Sequence, residues 1–180
     1  MAAPLSREYC QPKANANEVV IMNKARFDPQ LYDLIPHRPP MLLINEIIAV
    51  DQRSSSAVVS IDSNASFFEA LKGVPSWIGL EYMGQTAALI AGYQLKEGLI
   101  EPHLGFLLGT RAFKAEQAYF EPNINLLVSC SEKALVGDDL ATFDCRISRY
   151  DSGANNGELL ASANLSVFRR PKNERDKSER

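Results

Sequence analysis

The sequence predicts an α+β domain in which an antiparallel sheet wraps around one long central helix. The first observation is that residues 74–95 are apolar on almost every helical face, which is typical of a helix buried in a core. The second is that Ala141–Tyr150 and Glu158–Phe168 alternate apolar and polar side chains, as strands with one solvent-exposed face do. No internal repeat or linker divides the sequence, so we expect a single folded domain.

Local signals place the remaining elements in order. Asp28 and Pro29 suit the cap and the first position of a short helix, which ends near Leu34 because prolines follow it. A serine-rich turn separates two early strands, and a glycine-containing loop leads from them into the long helix. The predicted strands are Met41–Val50, Ala57–Ile61, Leu104–Phe113, Ile124–Ala134, Ala141–Tyr150 and Glu158–Phe168.

The long helix carries its own boundary signals. Pro75 suits a first-turn position, and Ser76 is a candidate cap. Gly98 ends the helix and begins a loop. Within the helix, Gly84 and Gly92 each cost about 1 kcal/mol relative to Ala, so we expect another element to approach closely there.

The composition is that of an ordinary globular domain. The chain has 180 residues, of which 46% are hydrophobic and 23% charged. The folded domain is expected at 27–170, between a mobile arm over 1–26 and a disordered charged tail over 171–180. The net charge of −3 gives no electrostatic argument for a nucleic-acid partner.

Compartment and metal chemistry are constrained by the same composition. No apolar run is long enough for a membrane span and the first residues carry no signal-peptide pattern, so we expect a cytoplasmic protein without membrane insertion. Three widely spaced cysteines fit a reducing compartment, with Cys130 and Cys145 as small core residues. No Cys/His cluster has metal-ligand spacing, so no metal is expected.

Glu81 is the residue that does not suit a core helix. It is the only carboxylate between Ala70 and Lys96. Burial of a carboxyl group favours its protonated form, and a protonated carboxyl can act as a general acid near neutral pH. The alternative is a Glu on the one solvent-exposed edge of the helix, or one held by Gln85 a turn later. The residues themselves leave both interpretations open.

Three segments resemble a known family. Leu34–Glu46 reads LIPHRPPMLLINE, Val74–Gln85 reads VPSWIGLEYMGQ, and Arg111–Lys114 reads RAFK. In this order they resemble the PHR-x-P-x-LL-x-D, MPG-xxx-LE-x-M-x-Q and ARFK segments of β-hydroxyacyl-ACP dehydratases of the hotdog fold. The resemblance covers about Leu31–Phe168. Within this family, the sequence is most similar to the ApeP-like dehydratase subunits of aryl polyene biosynthesis.

The resemblance implies a function and its participants. It implies dehydration of β-hydroxyacyl chains to trans-2-enoyl thioesters, with the substrate carried on the phosphopantetheine of acyl carrier protein and no separate cofactor. It implies a second hotdog subunit, in a heterodimer or a homodimer. Glu81 matches the catalytic acid of the family. The implied substrate-binding residues are Phe67, Phe68, Ser76, Trp77 and Gln85, with backbone N–H groups near Ser76 and Trp77 polarising the thioester carbonyl.

The chain lacks the residue that acts as the catalytic base in the family pattern. Related dehydratases carry an HFPG segment whose His removes the proton, whereas Phe67-Phe68 is followed here by EALKGVPS. No His occurs between His37 and His103. The leading hypothesis is that a partner subunit supplies the His to a shared site. The other hypothesis is that His37 is the base, although a lone His is more often structural.

Two other functions stay open. A hotdog thioesterase could use Glu81 to activate water without any His. A non-catalytic hotdog partner could instead stabilise an active subunit and dock carrier protein, and the loss of HFPG supports this interpretation. Lys72, Arg111 and Lys114 are candidate contacts for phosphopantetheine or the acidic carrier protein, or else ordinary solvated charges.

Overall fold

The computed structural model describes residues 26–110, 112–137, 139–150 and 157–171. Most of the expected N-terminal arm and charged tail, and also Arg111, lie outside the described residues. The described helices are α1 (Leu31–Leu34) and α2 (Gly79–Lys96), with a 3₁₀ turn at Ser76–Ile78 before α2. The described strands are β1 (Glu46–Val50), β2 (Ser54–Ile61), β3 (Val74–Pro75), β4 (His103–Thr110), β5 (Lys114–Ala115), β6 (Tyr119–Phe120), β7 (Ile124–Val136), β8 (Leu140–Arg149) and β9 (Leu159–Pro171).

The main sheet has the spatial order β1-β2-β7-β8-β9-β4, with β5 also paired to β9. Every neighbouring pair in it is antiparallel. The short strands β3 and β6 form a separate pair at the entrance to α2. The predicted α+β architecture is therefore confirmed.

One face of α2 packs against the sheet, mainly on β7, β2 and β8. Tyr82, Met83, Leu89 and Ile90 are buried in this contact. Because the sheet covers only that face, the opposite face of α2 is left for other contacts. Within the described residues, neither helix combines the length and apolar character needed to cross a bilayer.

The start of the long helix differs from the sequence prediction. Val74 and Pro75 pair with β6, so Pro75 belongs to a strand and not to a first helical turn. Ser76 does not cap the helix with its side chain, because a 3₁₀ turn precedes α2 and its cap makes no side-chain hydrogen bond. The α-helix begins at Gly79, where an added Cβ would lie 2.9 Å from the Ile147 side chain.

The first predicted strand is also shorter than expected. Regular pairing starts at Glu46, while Leu42 and Leu43 are buried outside the sheet. The Leu43 N–H donates to the side chain of Gln85 instead of to a neighbouring strand. Residues 41–45 therefore form an apolar loop fastened to α2, which alternation alone does not distinguish from a buried strand.

Candidate active site

His37 and Glu81 face each other across the exposed side of α2. His37 lies in the proline-rich loop after α1, and Glu81 lies in the first turn of α2. The distance between His37 Nε2 and Glu81 Oε1 is 3.8 Å. This separation is longer than a direct hydrogen bond, but it places an imidazole and a carboxyl group within reach of one small substrate group.

Gln85 fixes the position of the Glu81 carboxyl group. Its Nε2 donates to Glu81 Oε1 at 2.8 Å and to the Met41 carbonyl at 2.7 Å. Its Oε1 accepts from the Leu43 N–H at 2.9 Å. Gln85 is fully buried and its amide is used in these contacts, so within this chain it positions the Glu81 carboxyl group.

Arg38 fixes the loop that carries His37. Its Nη1 donates to the Ile35 and His37 carbonyls at 2.8 and 2.7 Å, and its Nη2 donates to the Tyr32 carbonyl at 3.0 Å. The guanidinium also lies 5.0 Å from the centroid of the Tyr32 ring. A planar group with several donors can hold these carbonyls together, so Arg38 sets the backbone from which the imidazole projects.

The environment of His37 favours its neutral form. Burial lowers the pKa of His37, the Glu81 carboxyl opposes this by raising it, and the Arg38 guanidinium lowers it further. His37 Nδ1 is buried without a hydrogen-bond partner among the described residues.

Glu81 is not buried as deeply as its position on an apolar helix suggested. Its side chain is 37% exposed. The expectation of a carboxyl group removed from water is therefore wrong. The alternative from the sequence describes the structure better, since Glu81 lies on the exposed edge of α2 and is held by Gln85.

A cavity of about 590 Å³ opens beside this pair. Both His37 and Glu81 line it, together with small residues along α2 and the inner surface of β4. Gly84 contributes open space there, because an added Cβ would meet only the Leu107 side chain at 4.0 Å. A mainly apolar cavity with two convergent polar groups suits an acyl chain attached to a reactive head.

The other predicted substrate contacts do not line this cavity within one chain. The Ser76 N–H donates to the Ala118 carbonyl at 2.9 Å, so this N–H is already used within the chain. Phe68 packs against the core. Phe67 and Trp77 are 47% and 61% exposed and contact each other with ring centroids 6.4 Å apart. They form an apolar surface at the entrance to α2.

The basic residues singled out from the sequence do not gather at the site. Lys72 pairs with Glu69 at 3.0 Å and lies 5.3 Å from the Tyr119 ring centroid. Lys114 is exposed on β5, and Arg111 lies outside the described residues. In the described part of the chain, no group of three or more His, Cys, Asp or Glu side chains could hold a metal ion.

A model of the family described as "ApeP-like: ApeP dehydratase" matches residues 29–178. Two curated relatives are the 3-hydroxyacyl-[acyl-carrier-protein] dehydratases FabZ of Anaeromyxobacter dehalogenans (strain 2CP-C), 31% identical over 84 residues, and of Anaeromyxobacter sp. (strain K), 30% identical over 84 residues. Each match covers 44% of this chain and 54% of the relative. The chain thus spans about half the length of the curated relatives it matches.

Solved structures share the fold. One is the dehydratase heterocomplex ApeI:P from Xenorhabdus doucetiae, with a TM-score of 0.67 and 23% identity over 82% of this chain and 93% of the other. Another is a mutant thioesterase from Pseudomonas aeruginosa, with a TM-score of 0.56 and 16% identity over 79% of this chain and 93% of the other. At these identities the likeness establishes the hotdog fold and no more.

Proposed function

The chain belongs to the ApeP-like dehydratase family, and we propose that it dehydrates β-hydroxyacyl chains on acyl carrier protein to trans-2-enoyl thioesters. The observation that carries the proposal is the His37–Glu81 pair, 3.8 Å apart at one cavity wall. Dehydration needs one group that accepts a proton from the carbon next to the carbonyl and another that protonates the leaving hydroxyl. The pair offers both groups within one chain.

In the proposed mechanism, neutral His37 accepts the proton of the α-carbon at Nε2, and the C–H electron pair forms the new double bond. The C–O bond of the β-carbon breaks, and its electron pair stays with the departing hydroxyl. The proton passes from the His37 imidazolium through the Glu81 carboxyl group to that hydroxyl, which leaves as water, and both side chains return to their starting state.

The His37 assignment is one of two arrangements that the proposal distinguishes. The Nε2–Oε1 separation of 3.8 Å and the lowered pKa of His37 support a base within this chain. The other arrangement takes the base from a second hotdog subunit. The exposed Phe67–Trp77 surface supports association with such a subunit, because large apolar side chains seldom cluster on a free surface. In both arrangements Glu81 is the acid.

The participants follow from the proposed reaction. Elimination of water is redox-neutral, so the proposal requires no redox cofactor, and the substrate arrives on the phosphopantetheine of a carrier protein. The proposed location is the cytoplasm. The free thiols of Cys130 and Cys145 support a reducing compartment.

The testing experiment measures dehydration of a β-hydroxyacyl-ACP by the full chain, alone and with its hotdog partner. Glu81→Gln is expected to abolish activity in either setting, because an amide cannot protonate the hydroxyl. Exposed Glu97 supplies the matched control, and Glu97→Gln should leave the rate unchanged. If the chain alone is active and His37→Asn abolishes this activity, His37 is supported as the base. If activity requires the partner and is retained in His37→Asn, a base from the partner is supported.

Two outcomes would contradict the dehydratase proposal. Full activity of Glu81→Gln beside its partner would make this chain a non-catalytic scaffold. Release of free acid from the thioester without enoyl product would identify a thioesterase, in which Glu81 activates water.

A further inference from the structure

A second cavity is lined by the residues that follow Arg38 in the loop between α1 and β1. Its volume is about 410 Å³, which is within the usual range for small-molecule sites. No described residue lines both this cavity and the one beside His37 and Glu81. The second cavity is therefore separate from the candidate active site and takes no part in the proposed dehydration.

The two cavities are formed by neighbouring residues of the same two elements. In the loop, residues 37 and 38 line the first cavity, whereas residues 39 and 40 line the second. On α2, Glu81 lines the first cavity and Tyr82 lines the second. Because successive side chains of an α-helix point about 100° apart, one turn of α2 supplies a polar group to each cavity.

The Tyr82 hydroxyl lines this cavity and has no hydrogen-bond partner within the described part of the chain. Only 2% of the residue is exposed, and its ring centroid lies 6.2 Å from that of Phe120 in the core. Burial raises the pKa of Tyr82, so the phenol stays protonated and offers an O–H donor. Buried polar groups are normally paired, so an unpaired donor at a cavity wall suits a ligand that accepts a hydrogen bond.

Arg26 is the charged residue among the described residues that line this cavity. Its side chain is 18% exposed, and its Nη1 lies 3.1 Å from Asp62 Oδ1. Asp62 does not line the cavity and its side chain is 42% exposed, so water and salt screen its charge. The Arg26 guanidinium opposes the rise in the pKa of Tyr82, which shows that its charge acts at the phenol. Since the ion pair uses one of its three nitrogens, the guanidinium has further N–H donors for a ligand.

Two of the other polar side chains at the cavity are already used within the chain. Asn45 Oδ1 accepts from the Ser60 N–H at 2.8 Å. Ser66 Oγ donates to the Pro40 carbonyl at 3.0 Å. These contacts leave the Tyr82 hydroxyl and the Arg26 guanidinium as the donors that point to a ligand.

We infer that this cavity binds a small monocarboxylate, with its carboxylate between Tyr82 and Arg26 and its apolar body against Phe27, Leu42 and Val59. A carboxylate accepts hydrogen bonds at both oxygens, and bonds between charged groups are stronger than neutral ones. The apolar side chains supply a surface that an alkyl or aryl group can cover. The inference does not depend on the proposed function.

The test compares hexanoate with hexanamide, which has nearly the same size and shape but no charge. Calorimetry measures the dissociation constants of both compounds on the full chain. Hexanoate should bind at least about tenfold more tightly, because a hydrogen bond to a charged group contributes more than a neutral one.

Two single substitutions locate the bound carboxylate. Tyr82→Phe removes one oxygen and keeps the ring, and it should weaken hexanoate binding about tenfold. Arg26→Met keeps an unbranched side chain without charge, and it should remove the preference for hexanoate over hexanamide. Tyr93→Phe on the same helix and Arg53→Met at an exposed position are the matched controls, and both should bind hexanoate as the unaltered chain does.

Urea unfolding separates a ligand contact from a structural one. Because the Tyr82 hydroxyl has no partner among the described residues, Tyr82→Phe should not lower the free energy of unfolding. A clear loss of stability would show that the hydroxyl is used in the fold, and would contradict the inference.

The binding measurements can also overturn the inference. Equal affinity for hexanoate and hexanamide, or no binding of either, would exclude a carboxylate site. A preference for hexanoate that both Tyr82→Phe and Arg26→Met leave unchanged would place the carboxylate elsewhere, for example in the cavity beside Glu81.

Discussion

The Gln85 amide connects Glu81 to the loop that carries His37. From a fully buried position it donates to Glu81 Oε1 at 2.8 Å and to the Met41 carbonyl at 2.7 Å. The loop before Met41 is in turn held by the three carbonyl contacts of Arg38. The two candidate catalytic groups therefore come from separate elements but share one set of hydrogen bonds, which preorganises their separation.

Replacing Gln85 by Met should reduce both stability and activity. The substitution keeps much of the buried volume but leaves the Leu43 N–H and the Met41 carbonyl without their partner. An unsatisfied buried polar group costs about 1–3 kcal/mol, so the free energy of unfolding, measured with urea, should fall by at least this amount.

Gln94 provides a control on the same helix for the Gln85 substitution. It donates one exposed hydrogen bond, to the Gln52 carbonyl. Gln94→Met should therefore change stability by less than about 1 kcal/mol. If Gln85→Met were as mild as Gln94→Met, the connecting role assigned to Gln85 would be wrong.

Arg38→Lys should lower kcat while keeping the positive charge. Lysine cannot reproduce the planar contacts to the Tyr32, Ile35 and His37 carbonyls, so the imidazole would lose its fixed orientation. A loss on the order of 10²-fold is expected from small misplacement of a reacting group. Exposed Arg53 is the comparison, and Arg53→Lys should be neutral. If kcat were unchanged in Arg38→Lys, Arg38 would not be needed to position His37.

The pH dependence of the dehydratase should have an acidic limb due to His37. Since burial lowers the pKa of His37 below its ordinary value of 6.5, the neutral base persists to lower pH than in a free histidine. The log of kcat/KM should therefore fall with decreasing pH only below 6.5. His103→Asn should retain this limb, and a partner base would give a limb that His37→Asn does not alter.

Folding stability should also decrease at low pH because of His37. His37 binds a proton less readily in the folded state than in the unfolded state, so the unfolded state holds more protons between the two pKa values. This contribution to stability is present above 6.5 and is lost as pH falls through the lowered pKa of His37. Urea unfolding of the wild-type chain and His37→Asn across this range measures it, and parallel curves for the two chains would contradict the assignment.

The sequence predicted the architecture because periodicity reports burial. Alternation identified β8 and β9 within a few residues of their ends, and continuous apolarity identified α2. It could not predict β3 and β6, because two-residue strands have no period. It also placed a strand at residues 41–45, where Met41 and Leu43 instead form long-range hydrogen bonds with the Gln85 side chain.

The candidate site was predicted in its residues more than in its geometry. The resemblance named Glu81, Gln85 and His37, but it could not say that the imidazole and the carboxyl lie 3.8 Å apart. The resemblance also implied a free N–H near Ser76 for the thioester carbonyl, whereas the Ser76 N–H donates to the Ala118 carbonyl. Arg169 also lines the cavity beside His37 and Glu81 and is buried. It carried no signal in the sequence, since a lone Arg near the end of a strand gives no sign that it will be buried.

The two internal glycines of α2 provide the last prediction. Gly92→Ala should destabilise the fold strongly, because its new Cβ would lie 2.0 Å from the Leu34 carbonyl oxygen where α1 crosses the helix. Close approach explains this glycine, as the sequence suggested. The expectation was wrong for Gly84, which faces open cavity.

Gly84→Ala should therefore leave the fold intact. It should raise the free energy of unfolding by about 1 kcal/mol, because Ala is more favourable than Gly in a helix interior. Its extra methyl group narrows the cavity beside Leu107, so KM for long acyl chains should rise while short chains are unaffected. Thermal unfolding and kinetics with two chain lengths measure both effects. Equal destabilisation by the two substitutions would mean that α2 is packed as closely at Gly84 as at Gly92, and that the acyl chain does not pass Gly84.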